Sequence, residues 1–381
     1  MAQVIIFRSE VLPLTQTFVL AQARALSRYT PHFVGLSAAE SSLEVNPQTA
    51  TLLCGDSHLV RLRKAMFRLA GLGGPHLNSL RSAPVSLVHA HFAEDGPAAL
   101  ILARALRVPL IVTLHGSIEP IPDSELSRSL RNLMYVMKRK HVWKYASVFI
   151  CVSDFIAEIA RKAGYPSEKL ITHYIGVETS RFAYHGIAER DPNMILFVGR
   201  LAEKKGVRHL LNAMSLVQKE RPEAKLVLIG DGPLRQELEE HARRTRLRCT
   251  FLGQQAPEVI VSYLAKARVF CGPSIRARDG NSEGLGMVFA ESQACGLPVV
   301  SFRHGGIPEV VVSDKTGLLA EEGDDISLAK HILDLMTDAS KWERMSAHGR
   351  EWISSRFDLN KQTAVLENMY DRVSRANNPL C

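Results

Sequence analysis

No uncharged apolar run in the 381 residues reaches the roughly 18 that a membrane-spanning helix needs. The best candidate, Ala98 to Leu114, is interrupted by Arg104, Arg107 and Pro109, so the chain is not expected to cross a bilayer. The opening Met1-Ala-Gln-Val-Ile-Ile-Phe7 has neither a basic stretch nor a small-residue cleavage site and reads as a first strand rather than a signal peptide, which places the protein in the cytoplasm. Cysteine is sparse: Cys54, Cys151, Cys249, Cys271, Cys295 and Cys381 show no CxxC or Cys/His ligand spacing, which suits reduced thiols better than disulfides or a zinc site. There is no Asp-x-Asp to carry a divalent cation, and Asp324-Asp325 lies away from any strand end. No GxGxxG follows the first strand, which runs on into Arg8-Ser9-Glu10, so a dinucleotide cofactor is not expected. The lack of GxSxG and of a P-loop disfavours a hydrolase or a phosphate-cleaving NTPase. Neither an RNA-binding signature nor a zinc finger accompanies the basic residues, so nucleic acid is not an expected partner.

What is present is enough chain for two domains or one large barrel, with ordinary globular composition: 46% hydrophobic and 23% charged residues. The net charge of +8 is unevenly spread, with 20 Lys and Arg against 13 Asp and Glu through His185 and 27 against 26 beyond it. Two basic stretches with apolar residues between the charges concentrate the surplus, Arg61 to Arg68 and Arg128 to Lys144. Such a pattern fits the surface of an anionic bilayer, or solvated helix faces; both readings stay open.

Short β-branched runs alternate with helical periodicity, which means βαβ units and a parallel sheet. One series runs from Val4–Phe7 to Leu170–Tyr174. The rhythm stops in the polar, glycine-marked stretch Ile175 to Gly186 and restarts at Met194–Val198, continuing to Gly317–Leu319. The expected fold class is α/β, two Rossmann-like domains over residues 1–185 and 186–358, with a helical tail from Ile326 onward whose last part, 359–381, packs back on the N-terminal domain. Two such domains facing each other imply a cleft, and ligands belong beyond the carboxyl ends of strands.

Candidate chemistry follows at those strand ends. After Val269–Cys271 comes Pro273 to Pro298, where a helix beginning near Gly284-Leu285-Gly286-Met287 would offer free N–H groups to a diphosphate. Glu283 stands at its mouth and Glu291 eight residues on, roughly 12 Å if the rise is helical, which matches the span between the sugar and ribose ends of a nucleotide sugar. Gly199-Arg200 to Lys205-Gly206 follows Met194–Val198, and two cations there can neutralise a departing diphosphate. Spacing does not separate Lys204 from Lys205; the residue beside Gly206 is taken to point inward and Lys204 to solvent. His115 follows Leu110–Leu114 and can hydrogen-bond a sugar hydroxyl or phosphate oxygen, or be structural. His89 and His91 share one strand face, lack a third ligand and are assigned to structure or the cleft wall.

The ordered set Gly199-Arg200…Lys205-Gly206, Ile229-Gly-Asp-Gly-Pro233, Phe251-Leu-Gly253, Pro273-Ser274, Glu283-Gly…Glu291-Ser-Gln-Ala-Cys-Gly-Leu-Pro298 and Gly305-Gly-Ile-Pro-Glu309 resembles the retaining glycosyltransferases of family four, which have the GT-B fold. The first half matches more loosely, through Val112-Thr-Leu-His115-Gly116, Cys151-Val-Ser153 and Ile175 to Phe182. The segment Arg278-Asp-Gly-Asn-Ser-Glu283 and the opening Pro13-Leu-Thr-Gln-Thr-Phe18 look most like bacterial members that build exopolysaccharide and other surface glycans. The resemblance implies a donor-side second domain and an acceptor-side first domain. Within it, Arg200 and Lys205 hold the donor diphosphate, Glu291 binds ribose, Glu283 with Gly284, Leu285, Gly286 and Met287 faces the sugar, His115 lies near it, and Gln254 lies in the base-binding segment. Where many members carry a glycine-rich loop after the first strand, Leu14-Thr-Gln-Thr17 stands here.

The implied reaction is metal-independent transfer of a hexose, with retention, from a nucleotide-diphosphate sugar to a glycan or lipid-linked acceptor. The implied place is the cytoplasm or the inner membrane face. A sugar phosphorylase, a sugar-nucleotide epimerase and a non-catalytic nucleotide-sugar-binding protein share the architecture and remain alternatives.

Overall fold

The computed structural model describes residues 1–11, 16–38, 49–55, 59–71, 73–116, 126, 130–182, 184 and 186–376. It divides into two compact units, residues 1–176 with 359–381, and residues 177–358. The boundary falls inside the glycine-marked stretch Ile175 to Gly186, ahead of a division after residue 185. Val177 donates its N–H to the Phe357 carbonyl and Thr179 its hydroxyl to Asp358, so these residues pack with the second unit.

In the first unit seven parallel strands form one sheet: β1 (Ala2–Phe7), β2 (Tyr29–Gly35), β3 (Ala50–Leu52), β4 (Val85–His91), β5 (Leu110–Leu114), β6 (Val148–Cys151) and β7 (Leu170–Thr172), in the order 3-2-1-4-5-6-7. The second unit repeats the plan with six: β8 (Met194–Val198), β9 (Lys225–Ile229), β10 (Cys249–Phe251), β11 (Val269–Cys271), β12 (Val299–Phe302) and β13 (Gly317–Ala320), in the order 10-9-8-11-12-13. A parallel sheet covered on both faces has no solvent side, hence near-continuous apolar runs such as Val4-Ile-Ile-Phe7, every member buried. β3 has no such run and escapes the sequence reading. In both sheets the chain reverses direction across the sheet once, between β1 and β4 and between β8 and β11. Loops leaving the paired strands there diverge and leave a crevice, which is where ligands bind in doubly wound sheets.

The tail is three helices, Asp325–Thr337, Ala339–Arg356 and Leu359–Ala376. The last returns to the first unit and inserts Leu366, Met369, Tyr370 and Val373 into the core around Val4, Ile6 and Leu87. Glu367 secures it: its carboxylate accepts the backbone N–H groups of Ser27 and Arg28, at 2.8 and 2.6 Å, and the Ser27 hydroxyl at 3.0 Å. Among the described residues no helix is long and apolar enough to cross a membrane.

Removing the Glu367 carboxylate would strand two backbone donors beside a buried site. Glu367→Ala is expected to lower the stability of the first unit by about 1–3 kcal/mol. The exposed Val365→Ala on the same helix should stay within about 0.5 kcal/mol, both read as shifts in the urea midpoint.

Candidate active site

The crevice of the second unit is built by two loops, one after β8 and one after β11. The first turns on Gly206, whose φ of +61° is left-handed and whose absent side chain leaves room for the Pro273 carbonyl; an added Cβ would lie 1.8 Å from that oxygen. This close approach sets the two loops against each other. Lys205, next to the turn, forms an ion pair with Glu283. Ser274 donates its hydroxyl to the same carboxylate oxygen at 3.2 Å. Burial pushes the Glu283 carboxyl up, but the charges of Lys205 and Lys204 and the hydrogen bonds from Lys205 and Ser274 outweigh it and hold the group down at about 2. Such a carboxylate stays ionised at neutral pH and is a poor proton donor or acceptor; it can accept hydrogen bonds from hydroxyls.

Lys204 does not point to solvent. Its ammonium donates to the Asn281 side chain at 3.2 Å and lies 3.5 Å from the Ser282 carbonyl, while its own carbonyl accepts from the N–H of Ile275. Burial lowers its pKa, opposed by the Glu283 charge. The two lysines therefore divide the work: Lys205 engages the carboxylate and Lys204 fastens the loop that carries it. Arg200 is exposed, and among the described residues no side-chain partner holds its guanidinium.

The helix after the second loop begins at Met287 and ends at Ala294. Glu283 thus lies in the loop ahead of it, and the helical rise taken for the interval to Glu291 applies only from Met287 on. Gly286, with φ of +81°, makes the turn into the helix against the Phe289 ring. Met287 and Val288 open the helix, a position that favours an anion, while the Phe289 N–H meets the Gly286 carbonyl at 3.0 Å. Gly284 and Leu285 are buried. Glu291 stands one turn into the helix, half-buried, where desolvation pushes its carboxyl up to about 7 against a smaller opposing effect of Arg181. Gln254 is exposed in the loop after β10, beside Gly253, whose carbonyl accepts from Gly230.

His115 belongs to the first unit, at the end of β5. Its Nε2 lies 3.1 Å from His91 Nδ1, and its ring packs on Phe92 and Phe18. Burial, followed by the charges of Arg8 and His89, lowers its pKa well below the ordinary histidine range, so the imidazole is neutral. The crevice between β1 and β4 is occupied by Arg8, which forms a 2.5 Å ion pair with Asp95, donates to the His91 carbonyl and to Gln16, and stacks on Phe92. His89 is structural: it bonds Tyr370 and Thr113, both at 2.6 Å. Residues 14 and 15, in the segment standing in place of a glycine-rich loop, lie outside the described residues.

Sequence reasoning missed the support: Ser274, the anchoring role of Lys204, and His304 with Glu322. Their partners lie beyond any local pattern: Glu283 is 9 positions from Ser274, Glu322 is 18 from His304 and Asn281 is 77 from Lys204.

Residues 183–352 match the family described as glycosyl transferases group 1, and residues 16–181 match glycosyltransferase family 4. The chain is 30% identical over 303 residues to an uncharacterized glycosyltransferase of Methanocaldococcus jannaschii, covering 78% of each. It is 29% identical over 286 residues to the putative colanic acid biosynthesis glycosyltransferase WcaL of Escherichia coli K12, covering 73% of this chain and 69% of the relative. Among solved structures, Anabaena HepE in complex with UDP and glucose superposes with a TM-score of 0.77 at 19% identity, covering 98% of this chain and all of HepE. The shared architecture is GT-B.

The raised pKa of Glu291 has a stability signature. Its folded value, about 7, lies above the ordinary 4.5. The folded state therefore binds the proton more tightly, and stability is lost as pH rises through that window. Glu291→Gln, which cannot ionise, should match wild type near pH 4 and become the more stable protein between about pH 5 and 8, measured as denaturant midpoints across pH.

Proposed function

The chain belongs to glycosyltransferase family 4, and from that membership we propose that it moves a hexose, with retention of configuration, from a nucleotide-diphosphate sugar to a glycan or lipid-linked acceptor in surface polysaccharide synthesis. The observation that carries this reading is the arrangement at the second unit's crevice: Lys205 paired with an ionised Glu283, beside a helix N-terminus. Lys205, Arg200 and the helical N–H groups from Met287 receive the diphosphate. Glu283 and the backbone of Gly284 to Met287 face the sugar. Glu291 accepts ribose hydroxyls, and Gln254 lies toward the base. His115, neutral, is assigned to hydrogen-bond a sugar hydroxyl.

In the reaction the bond from the sugar C1 to the β-phosphate oxygen breaks and a bond from C1 to the acceptor oxygen forms on the same face. The acceptor proton passes to the departing phosphate oxygen. Neither step asks for a protein base, which agrees with the lack of basicity at Glu283. Charge that grows on the phosphate is met by Lys205, Arg200 and backbone dipoles, so no metal is called for. The relatives support a polysaccharide role, WcaL being named for colanic acid and AmsK of Erwinia amylovora for amylovoran. The UDP and glucose bound to HepE support a nucleotide-sugar donor.

A membrane-facing first unit fits the lipid-linked acceptor. The helix Val60–Ala70 turns apolar residues outward, with Leu62 57% exposed and Arg61 and Arg63 beside it. The helix Leu130–Tyr145 adds Met137, 69% exposed, with Lys140 and Lys144. Lys138 joins the two helices by donating to the Arg68 carbonyl. Arg128 lies outside the described residues, as does the side chain of Arg131.

The donor reading is tested by thermal stabilisation with UDP, GDP, UDP-glucose and GDP-mannose, then by nucleotide release in excess EDTA. Stabilisation and turnover are expected; stabilisation without turnover means a binding protein, and loss of turnover on chelation overturns the metal-free site. Arg200→Ala and Lys205→Ala should each lose roughly 100-fold or more in kcat, the scale of one removed oxyanion donor. Lys204→Ala, acting through the loop, should lose about tenfold.

Membrane contact is tested by flotation with vesicles. Phosphatidylglycerol vesicles should carry the protein and pure phosphatidylcholine should not. Leu62→Glu with Met137→Glu should abolish binding without altering the melting temperature.

A further inference from the structure

The peptide unit of Glu283 is held on both sides by one turn. Its N–H donates to His304 Nε2 at 3.4 Å, and its carbonyl accepts from the Gly306 N–H at 3.0 Å. The turn lies directly on this backbone: a Cβ at Gly305 would come 2.3 Å from the Glu283 carbonyl oxygen, and one at Gly306 would come 2.1 Å from that of Gly284. His304 follows β12 and its side chain is only 6% exposed. Because Nε2 accepts from an N–H, the ring proton belongs on Nδ1, which faces Glu322 at 2.7 Å. Glu322 follows β13, and its other oxygen accepts the N–H of Arg276 at 2.8 Å. One carboxylate therefore holds the loop 276–283 at both ends, at Arg276 directly and at Glu283 through the imidazole.

We propose that His304 and Glu322 are positioning residues for Glu283: Glu322 fixes the tautomer of His304, and His304 fixes the backbone from which the Glu283 carboxylate reaches Lys205 and the donor sugar. The inference rests on the reading of Glu283 given above. Neither residue is placed against substrate. Their effect is on where Glu283 stands, and a displacement of about 1 Å at a reacting group is enough to cost up to 100-fold in rate. The lysine side of the crevice has a separate fastening through Lys204 to Asn281, so loss of His304 should misplace Glu283 without unfolding the loop.

The test is a double-mutant cycle with whichever of UDP-glucose or GDP-mannose the wild type turns over. His304→Ala should lower kcat about tenfold or more, with donor affinity within about threefold of wild type. In a Glu283→Ala background the same substitution should cost nothing further, because the proposed effect runs through the Glu283 carboxylate. His304→Gln, whose side-chain oxygen can accept the Glu283 N–H, should recover most of the loss. Wild-type turnover of His304→Ala, an additive loss in the Glu283→Ala background, or a glutamine variant as impaired as the alanine one would each overturn the proposal. If His304→Ala melts early, Glu322→Gln carries the test: it keeps the size and one acceptor, and should lower kcat in the same non-additive way. Wild-type turnover of Glu283→Ala alone would overturn the site reading itself, and that single variant separates the two failures.

Discussion

The ion pair between Lys205 and Glu283 is the constraint around which the second unit's crevice is arranged. A carboxylate this deeply buried, only 7% exposed, is tolerable only with its charge matched and its lone pairs met. Each neighbouring feature serves that need. Gly206 lets the Lys205 loop lie against Pro273, Ser274 supplies a hydroxyl, Lys204 adds a second positive charge and ties down Asn281, and the His304 turn holds the backbone. The result is an acceptor of hydrogen bonds that does not exchange protons at neutral pH, set beside cations and a helix N-terminus. That combination suits the binding of hydroxyls and of an anion better than acid–base catalysis.

The first unit solves the equivalent position differently. Its crevice between β1 and β4 is filled by the Arg8–Asp95 pair, with the guanidinium lying 4.1 Å from the Phe92 ring centroid. Phe92 adopts φ of +71°, an unfavourable conformation for an aromatic residue that the surrounding contacts impose. A buried cation near His91 and His115 favours their neutral form. Burial is the larger cause, but Arg8 contributes directly at both His91 and His115. The imidazole of His115 is thereby a neutral hydrogen-bonding group. His89 is committed to Tyr370 on the returning C-terminal helix, which couples the sheet to the last element of the chain.

The β-branched runs, the alternation with helices and the ends of β8 and β11 were legible because parallel strands buried on both faces must be apolar throughout, and because loops at those ends need glycine. The Gly199–Gly206 and Pro273–Pro298 segments mark two glycine-bearing loops at strand ends by local chemistry alone, and the fold sets them against each other at Gly206 and Pro273. The short strand Ala50–Leu52, half-buried at the sheet edge, carries no such requirement and left no trace.

By itself the sequence determined the fold class, the two series of strands, the family, and which residues stand at strand ends. Those properties follow from period, composition and backbone demands that act over a few residues. Only the tertiary structure decided what each charged side chain does. Lys204 and Lys205 are adjacent and chemically alike, and their separate tasks follow from Asn281 and Glu283, which the fold brings to them from more than 70 positions away. The break near Ile175 was visible, yet the side of it to which Val177 belongs was set by a hydrogen bond to Phe357. His304 and Glu322 are ordinary residues in their own stretches of chain. Their meeting beneath Glu283 depends on the order of β11, β12 and β13 in the sheet, a long-range pairing that no local pattern encodes.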